Sequence, residues 1–229
     1  MKTLKLTLQQ AQSIYKIADA SIKESLENSF SKKELIGRPL GVWCLSKDKR
    51  AFKATEWNKN LSPLAVGVVT ESTSFMVHLQ AQAALPFGST DVTEYDDIAF
   101  DTTTFENEQA TQAIIDAHSE VKGYVWNDDK FPFYGAPAAE YCDSLDGCLP
   151  TLATANELQA NIKAINEAML EMGGDVVCGW LWTSTLKKSG DSIYAFVVTM
   201  TDGLVYDVSR NDTFSARAVS AFDFEEFKF

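Results

Sequence analysis

The sequence predicts an α+β fold, a mixed antiparallel sheet with two or three helices, preceded by an N-terminal amphipathic helix. Three observations carry this. Residues 176–222 alternate Val-rich, aromatic and β-branched segments with turn signals, as paired strands do. Three stretches open on a Thr with Gln or Glu three positions later and run on at helical spacing. A chain of 229 residues with 45% hydrophobic and 11% aromatic content can bury a substantial core.

The elements follow in order. Thr7 and Gln10 form a capping box, and Leu8, Ala11, Ile14, Ala18, Ile22, Leu26 and Phe30 recur at three- and four-residue steps. This predicts one amphipathic helix of about six turns, ending near residues 32–35 and broken by Gly37-Arg38-Pro39. Its stripe suits either the core of the main domain or a homo-oligomer seam through residues 7–30. Residues 41–46 read as a strand, followed by the solvated basic turn Lys47-Asp48-Lys49-Arg50. Residues 64–71 and 75–80 form a hairpin around Ser72-Thr73-Ser74. Residues 85–101 read as a loop with the acidic run Glu94, Asp96 and Asp97, a solvated cluster before it is a cation site. A second capping box, Thr103 and Glu106, opens a helix to about His118. Residues 123–126 are strand-like and 127–137 a loop. The third box, Thr154 and Glu157, starts a helix with Leu158, Ile162, Ile165 and Met169 on one face, closed by Gly173-Gly174. Strands then follow at 176–185, 192–200, 204–208 and 216–222, with Asp202-Gly203 as a tight turn and 209–212 as a polar loop. The organisation is a helical arm over 1–38 and a main domain over 39–229.

Charge narrows the function classes. A net charge of −12 argues against nucleic acid, whose phosphates need clustered Lys and Arg. No apolar run is long enough to insert into a membrane. The start is polar by Gln9 and lacks the apolar core of a signal peptide. Cytosolic synthesis is therefore the expectation, with carriage on a released particle as the other route. Cys142 and Cys148 lie close enough in sequence for a disulfide or half a metal site; buried free thiols at these and at Cys44 and Cys178 are the simpler expectation. His78 and His118 read as structural. No catalytic residue, metal site or cofactor is expected.

Several short segments follow one another in a definite order. Leu149-Pro150-Thr151 is followed by Asn156-Glu157-Leu158, Ala164-Ile165-Asn166, Gly173-Gly174, Trp182-Thr183-Ser184-Thr185, Asp202-Gly203 and Arg217-Ala218-Val219-Ser220-Ala221-Phe222. In this order they resemble a bacterial and phage family with a C-type-lectin-like fold, related to the variable proteins of diversity-generating retroelements. The resemblance covers about residues 41–222 and is strongest over 138–222. It implies a C-type-lectin-like domain that displays ligand-contacting side chains, as in phage or prophage receptor-binding proteins and adhesin-like domains of gut bacteria. Two features depart from the pattern. Asn211 is the lone asparagine of the displayed segment, and Ala218 stands where the closing motif carries proline. Trp126-Asn127-Asp128 spells a calcium-lectin motif but lacks its companion loop, which argues against calcium-dependent sugar binding. A formylglycine-generating-type oxidase is the enzyme alternative, and no partner cysteine accompanies Cys178.

If the chain binds, strand geometry points to the C-terminal sheet as the surface. Tyr194 and Tyr206 are expected to present rings. Trp182, Ser184, Ser192, Asp207, Ser209, Arg210, Asn211 and Asp212 are expected to add contacts near the same edge. Trp180 and Trp182 also fit a core, and Arg217 a structural ion pair or strand-end contact. The expected partner is a protein or cell-surface ligand.

Overall fold

Two five-stranded sheets, a two-stranded sheet of Val125–Asp128 and Phe131–Tyr134, and the helices between and around them make up the fold in a computed structural model that describes residues 8–15, 17–27, 39–119, 121, 125–128 and 131–229. The strands are β1 (Gly41–Ser46), β2 (Ala51–Phe52), β3 (Pro63–Val69), β4 (Ser74–His78), β5 (Ala83–Pro86), β6 (Val125–Asp128), β7 (Phe131–Tyr134), β8 (Trp180–Ser189), β9 (Ser192–Thr199), β10 (Val205–Val208), β11 (Thr213–Ala216) and β12 (Val219–Ala221). The α-helices are α1 (Leu8–Tyr15), α2 (Ala20–Glu27), α3 (Asn107–His118), α4 (Pro137–Asp143), α5 (Leu152–Ala160) and α6 (Ile162–Met172). The first sheet has the order β12-β4-β3-β1-β2, and the second β10-β9-β8-β11-β5. The second is mixed, because β11 meets β8 in parallel at Ser215 and Leu181 while its other pairings are antiparallel.

Alternation along the strands builds the core. Val66, Val68, Phe75 and Val77 of the first sheet face Leu158, Ile165 and Met169 of α5 and α6, which in turn meet Leu181 and Val198 of the second sheet. The opposite face of the second sheet carries Trp182, Ala195 and Val197 and is covered by Phe87, Ala99, Ile114, Ala138 and Leu149. The second sheet is therefore covered on both faces over most of its length. Gly67 on β3 allows one close approach: a Cβ there would lie 2.7 Å from the Phe222 ring.

Several expectations hold. β1 spans the predicted residues, and β3 pairs with β4 as the predicted hairpin. Gly173 closes α6 in the left-handed conformation at φ 75°. The Asp202-Gly203 turn returns the chain so that β10 pairs with β9.

Others are corrected. Among the described residues the N-terminal helix is two short helices, because Asp19 accepts from the N–H groups of Ser21 and Ile22 and restarts the helix there. Thr7 and Phe30 lie outside the described residues, as does the boundary near residue 38. The second capping box does not form as read: Thr103 bonds Asp101 and α3 starts at Asn107. The third is displaced by one turn, since Thr151 is the N-cap, its Oγ1 accepting from the Thr154 N–H at 3.2 Å. The helix after it breaks at Asn161, whose φ of −108° leaves the helical range. The loop expected over 85–101 holds part of β5, and the one over 127–137 holds parts of β6 and α4 and all of β7. The strand expected from 176 begins at Trp180. The last strand is two, β11 in the second sheet and β12 in the first.

Arg217 lies at that crossing. It is 1% exposed and donates to the carbonyls of His78, Gln80, Asp175 and Val176. It thus ties a loop from each sheet to the crossover rather than forming an ion pair. Among the cysteines, Cys44, Cys142 and Cys148 are buried free thiols, whereas Cys178 is exposed.

Candidate ligand-binding surface

The ten predicted contact residues divide into three groups. Trp182, Ser184 and Arg210 are interior. Trp182 is fully buried, donates its indole N–H to the Leu85 carbonyl at 2.8 Å and packs edge-on against Phe87. Ser184 is fully buried in a bulge of β8, where the register shifts between Trp182 and Leu186. Arg210 is 2% exposed; its Nε donates to the Ile193 carbonyl at 3.1 Å, Nη2 to the Thr90 carbonyl at 3.1 Å and Nη1 to the Tyr95 hydroxyl. These three cannot touch a surface ligand as expected, because packing and backbone hydrogen bonds occupy their functional groups.

Register separates the rest. Tyr206 pairs with Val197 and Asp207 with Phe196, so Tyr206 shares the face of Trp182 while Tyr194 shares the face of Asp207. The two tyrosines therefore do not form one surface. On the Tyr194 face, Asp207 pairs with Lys187 at 3.1 Å. Ser192 is exposed beside the β8–β9 turn, and Asn211 and Asp212 are exposed in the loop that buried Arg210 anchors. Ser209 there donates its hydroxyl to Asn211.

Trp180 and Phe214 complete the surface, and sequence reasoning missed both as contacts. The rings of Trp180 and Tyr206, two strands apart, meet over β9 with centroids 4.8 Å apart and planes tilted by 39°. Phe214 stacks on Trp180 at 5.7 Å and meets Trp182 edge-on at 5.0 Å. An aromatic ladder thus runs from solvent, where Trp180 is 39% and Tyr206 42% exposed, down to the buried Trp182. Leu204 and Val205 beside it are also exposed. The two-residue spacing of Trp180 and Trp182 puts both on one face, but it does not tell where the covering layer ends. Ala83 and Phe214 border that end and are only half-buried.

Two depressions lie at the other end of the same sheet. A cleft of about 840 Å³ is bordered by Tyr95, Phe100, Lys187, Lys188 and Phe196, and a smaller one of about 210 Å³ by Thr90, Thr93, Ser192, Tyr194 and Arg210. Between them and α3 runs a buried chain of polar groups. Arg210 donates to the Tyr95 hydroxyl, which lies 3.4 Å from His118 Nε2, and His118 Nδ1 meets the Ile114 carbonyl at 2.8 Å. That pattern makes Nδ1 the protonated nitrogen of a neutral imidazole. Burial lowers the His118 pKa and pushes the Tyr95 hydroxyl up to about 12. Burial likewise pushes Cys44 up to about 11 and Cys148 up to about 12, so neither is a thiolate at neutral pH. His78, whose pKa burial also lowers, lies 3.1 Å from the Ser220 hydroxyl. Among the described residues no group of three or more His, Cys, Asp or Glu is arranged to hold a metal ion, and no helix is long and apolar enough to cross a membrane.

No family model matches this chain, and neither a curated protein nor a solved structure does.

Proposed function

We propose that this chain is a non-enzymatic ligand- or receptor-binding protein of bacterial or phage origin, whose contact surface is the aromatic ladder at the β8–β10 end of the second sheet. The observation that carries the reading is the Trp180–Tyr206 pair, exposed to solvent and braced from below by Phe214 and Trp182. Exposed, rigid aromatic rings on a fixed scaffold are what protein recognition favours. The scaffold is proposed to be C-type-lectin-like. What supports this is that the resembling segments serve one another: the Trp182–Thr185 segment bonds the Leu149–Leu152 segment, and Arg217 closes the chain between the sheets. The ligand is proposed to be a protein or cell-surface molecule, met when the chain is displayed on a released particle.

A second reading has its own support. Ile17 and Ile22 on the N-terminal segment are 88% and 45% exposed, as an oligomerising seam of a tail-associated particle protein would leave them.

The experiment is a binding screen of the labelled full chain on bacterial envelopes and arrayed surface proteins and glycans. Trp180→Ala and Tyr206→Ala are expected to weaken any hit more than tenfold, whereas Leu170→Ala, equally apolar and 66% exposed on α6, leaves it unchanged. A hit indifferent to both aromatic substitutions would reject this surface.

A further inference from the structure

β10 ends the second sheet, and its outer edge is open. The Thr199 N–H donates to the Leu204 carbonyl at 2.9 Å, and Val205 stands opposite Val198. In an antiparallel ladder hydrogen-bonded pairs alternate with non-bonded ones, so Leu204, Tyr206 and Val208 turn their N–H and C=O groups toward β9. Val205 and Asp207 therefore turn theirs outward, and among the described residues nothing bonds either N–H. Edge strands are normally blunted by charge, proline or a cover. Here Leu204, Val205 and Tyr206 are 50%, 40% and 42% exposed, and Asp207 is the one charged residue on β10. The edge also adjoins the aromatic ladder, because Tyr206 belongs to both.

We propose that β10 takes an extended segment of a partner protein as a sixth strand of this sheet. The inference rests on the binding reading above and names how that surface engages its partner. Register sets the chemistry of the segment. The residue opposite Tyr206 lies on the ladder face and is aromatic or apolar, packing beside the outer side of the Tyr206 ring. The residue opposite Val205 is β-branched. The residue opposite Asp207 is basic: Asp207 Oδ2 meets Lys187, while Oδ1 has no partner among the described residues. Asp202 and Asp212, both exposed near the ends of β10, and a net charge of −12 favour a basic segment further. The same charge opposes a second copy of this chain as the added strand.

The test uses the full chain and the capped peptide Ser-Thr-Lys-Tyr-Val-Thr-Arg, which in antiparallel register sets its Lys, Tyr and Val opposite Asp207, Tyr206 and Val205. Titration is followed by the amide NMR signals of Val205 and Asp207. Saturable shifts at both are expected. N-methylation of the peptide at its Lys and Val, whose N–H groups face β10, should weaken binding at least about tenfold, through the loss of two hydrogen bonds. N-methylation at its Tyr and the following Thr, whose N–H groups face away, should not. Val205→Pro removes an outward N–H that the fold does not use and should abolish the remaining shift, at Asp207, while thermal unfolding stays unchanged. Equal binding of both methylated peptides, lost in Tyr206→Ala, overturns strand addition and leaves the aromatic surface standing. No shift with any peptide at millimolar concentration overturns the proposal, while the envelope and array screen decides the binding reading separately. A dimer that Val205→Pro converts to monomer in sedimentation assigns the edge to a second copy and likewise overturns it.

Discussion

The backbone N–H of Ser184 donates to the carbonyl of Pro150 at 2.8 Å. This bond joins two residues 34 positions apart in sequence. It forms because β8 bulges between Trp182 and Leu186, where the three residues 183–185 face the one residue, Phe196, that lies between their partners on β9. The bulge turns backbone that a regular strand would spend on a neighbour toward the start of α5. Thr185 completes the join, its Oγ1 accepting from the Leu152 N–H at 2.9 Å. A buried helix N-terminus is thereby satisfied by a strand side chain. The ladder above depends on this join, because the same strand carries Trp180 and Trp182.

Thr185→Val keeps the shape and removes that acceptor from a site 1% exposed. The Leu152 N–H is then left unsatisfied, which costs about 1–3 kcal/mol. Urea unfolding should show this as a lower midpoint with an unchanged slope. Thr185→Ser retains the hydroxyl and should recover most of the loss. If Val and Ser behave alike, the hydroxyl contributes nothing and only the methyl group matters.

Acid should destabilise the protein through His118. Its folded pKa is depressed from 6.5, first by burial, with Arg210 adding repulsion. The unfolded chain therefore takes up the proton before the folded one does. The stabilising contribution is present above the unfolded value and is lost as pH falls through the folded one. Stability by urea unfolding should decline as the solution is taken below pH 6.5. His118→Gln removes this titration and should flatten that decline, leaving the share of His78, which is shifted the same way. An acid limb unchanged in His118→Gln would remove His118 as its source.

Local chemistry was legible where it acts over a few residues. The Asp202-Gly203 turn, the Gly173 helix stop and the β3–β4 hairpin follow from backbone preferences that tertiary packing reinforces. Caps were less legible: Thr151 and Thr154 are both good N-cap residues, and only the Thr104 carbonyl, which accepts from the Thr151 hydroxyl, and Asn107 Oδ1, which accepts from the Thr151 N–H, favour the earlier one. Long-range partition was not legible at all. Residues 216–222 read as one strand, yet Ala216 belongs to the second sheet and Val219 to the first, because buried Arg217 divides the run. The surface was half legible. Alternation assigns Tyr206 to the face of Trp182 once the register is known, but register depends on the β8 bulge, and exposure depends on where α3, α4 and the 87–100 loop stop covering the sheet.

Arg217 gives the sharpest test of that partition. Arg217 is 1% exposed, and the four carbonyls it meets come from the end of β4, the loop after it and the loop before β8, so each would lose its donor together with the others. Burial lowers its pKa, yet a guanidinium stays charged at neutral pH, and the four carbonyl dipoles stand in for the missing carboxylate. Arg217→Met fills the space with an apolar chain and leaves those carbonyls to compete for water they cannot reach. The expected loss is about 3–5 kcal/mol, a large fraction of the stability of a domain this size. Arg217→Lys keeps the charge but offers one nitrogen instead of a planar fork, so it should recover only part of it. Hydrogen exchange should then locate the damage: amides near His78–Gln80 and Asp175–Val177 exchange faster in Arg217→Lys, while those of the β3–β4 hairpin centre stay protected. Uniform loss of protection across both sheets would instead mean that the crossover and the core fail as one unit.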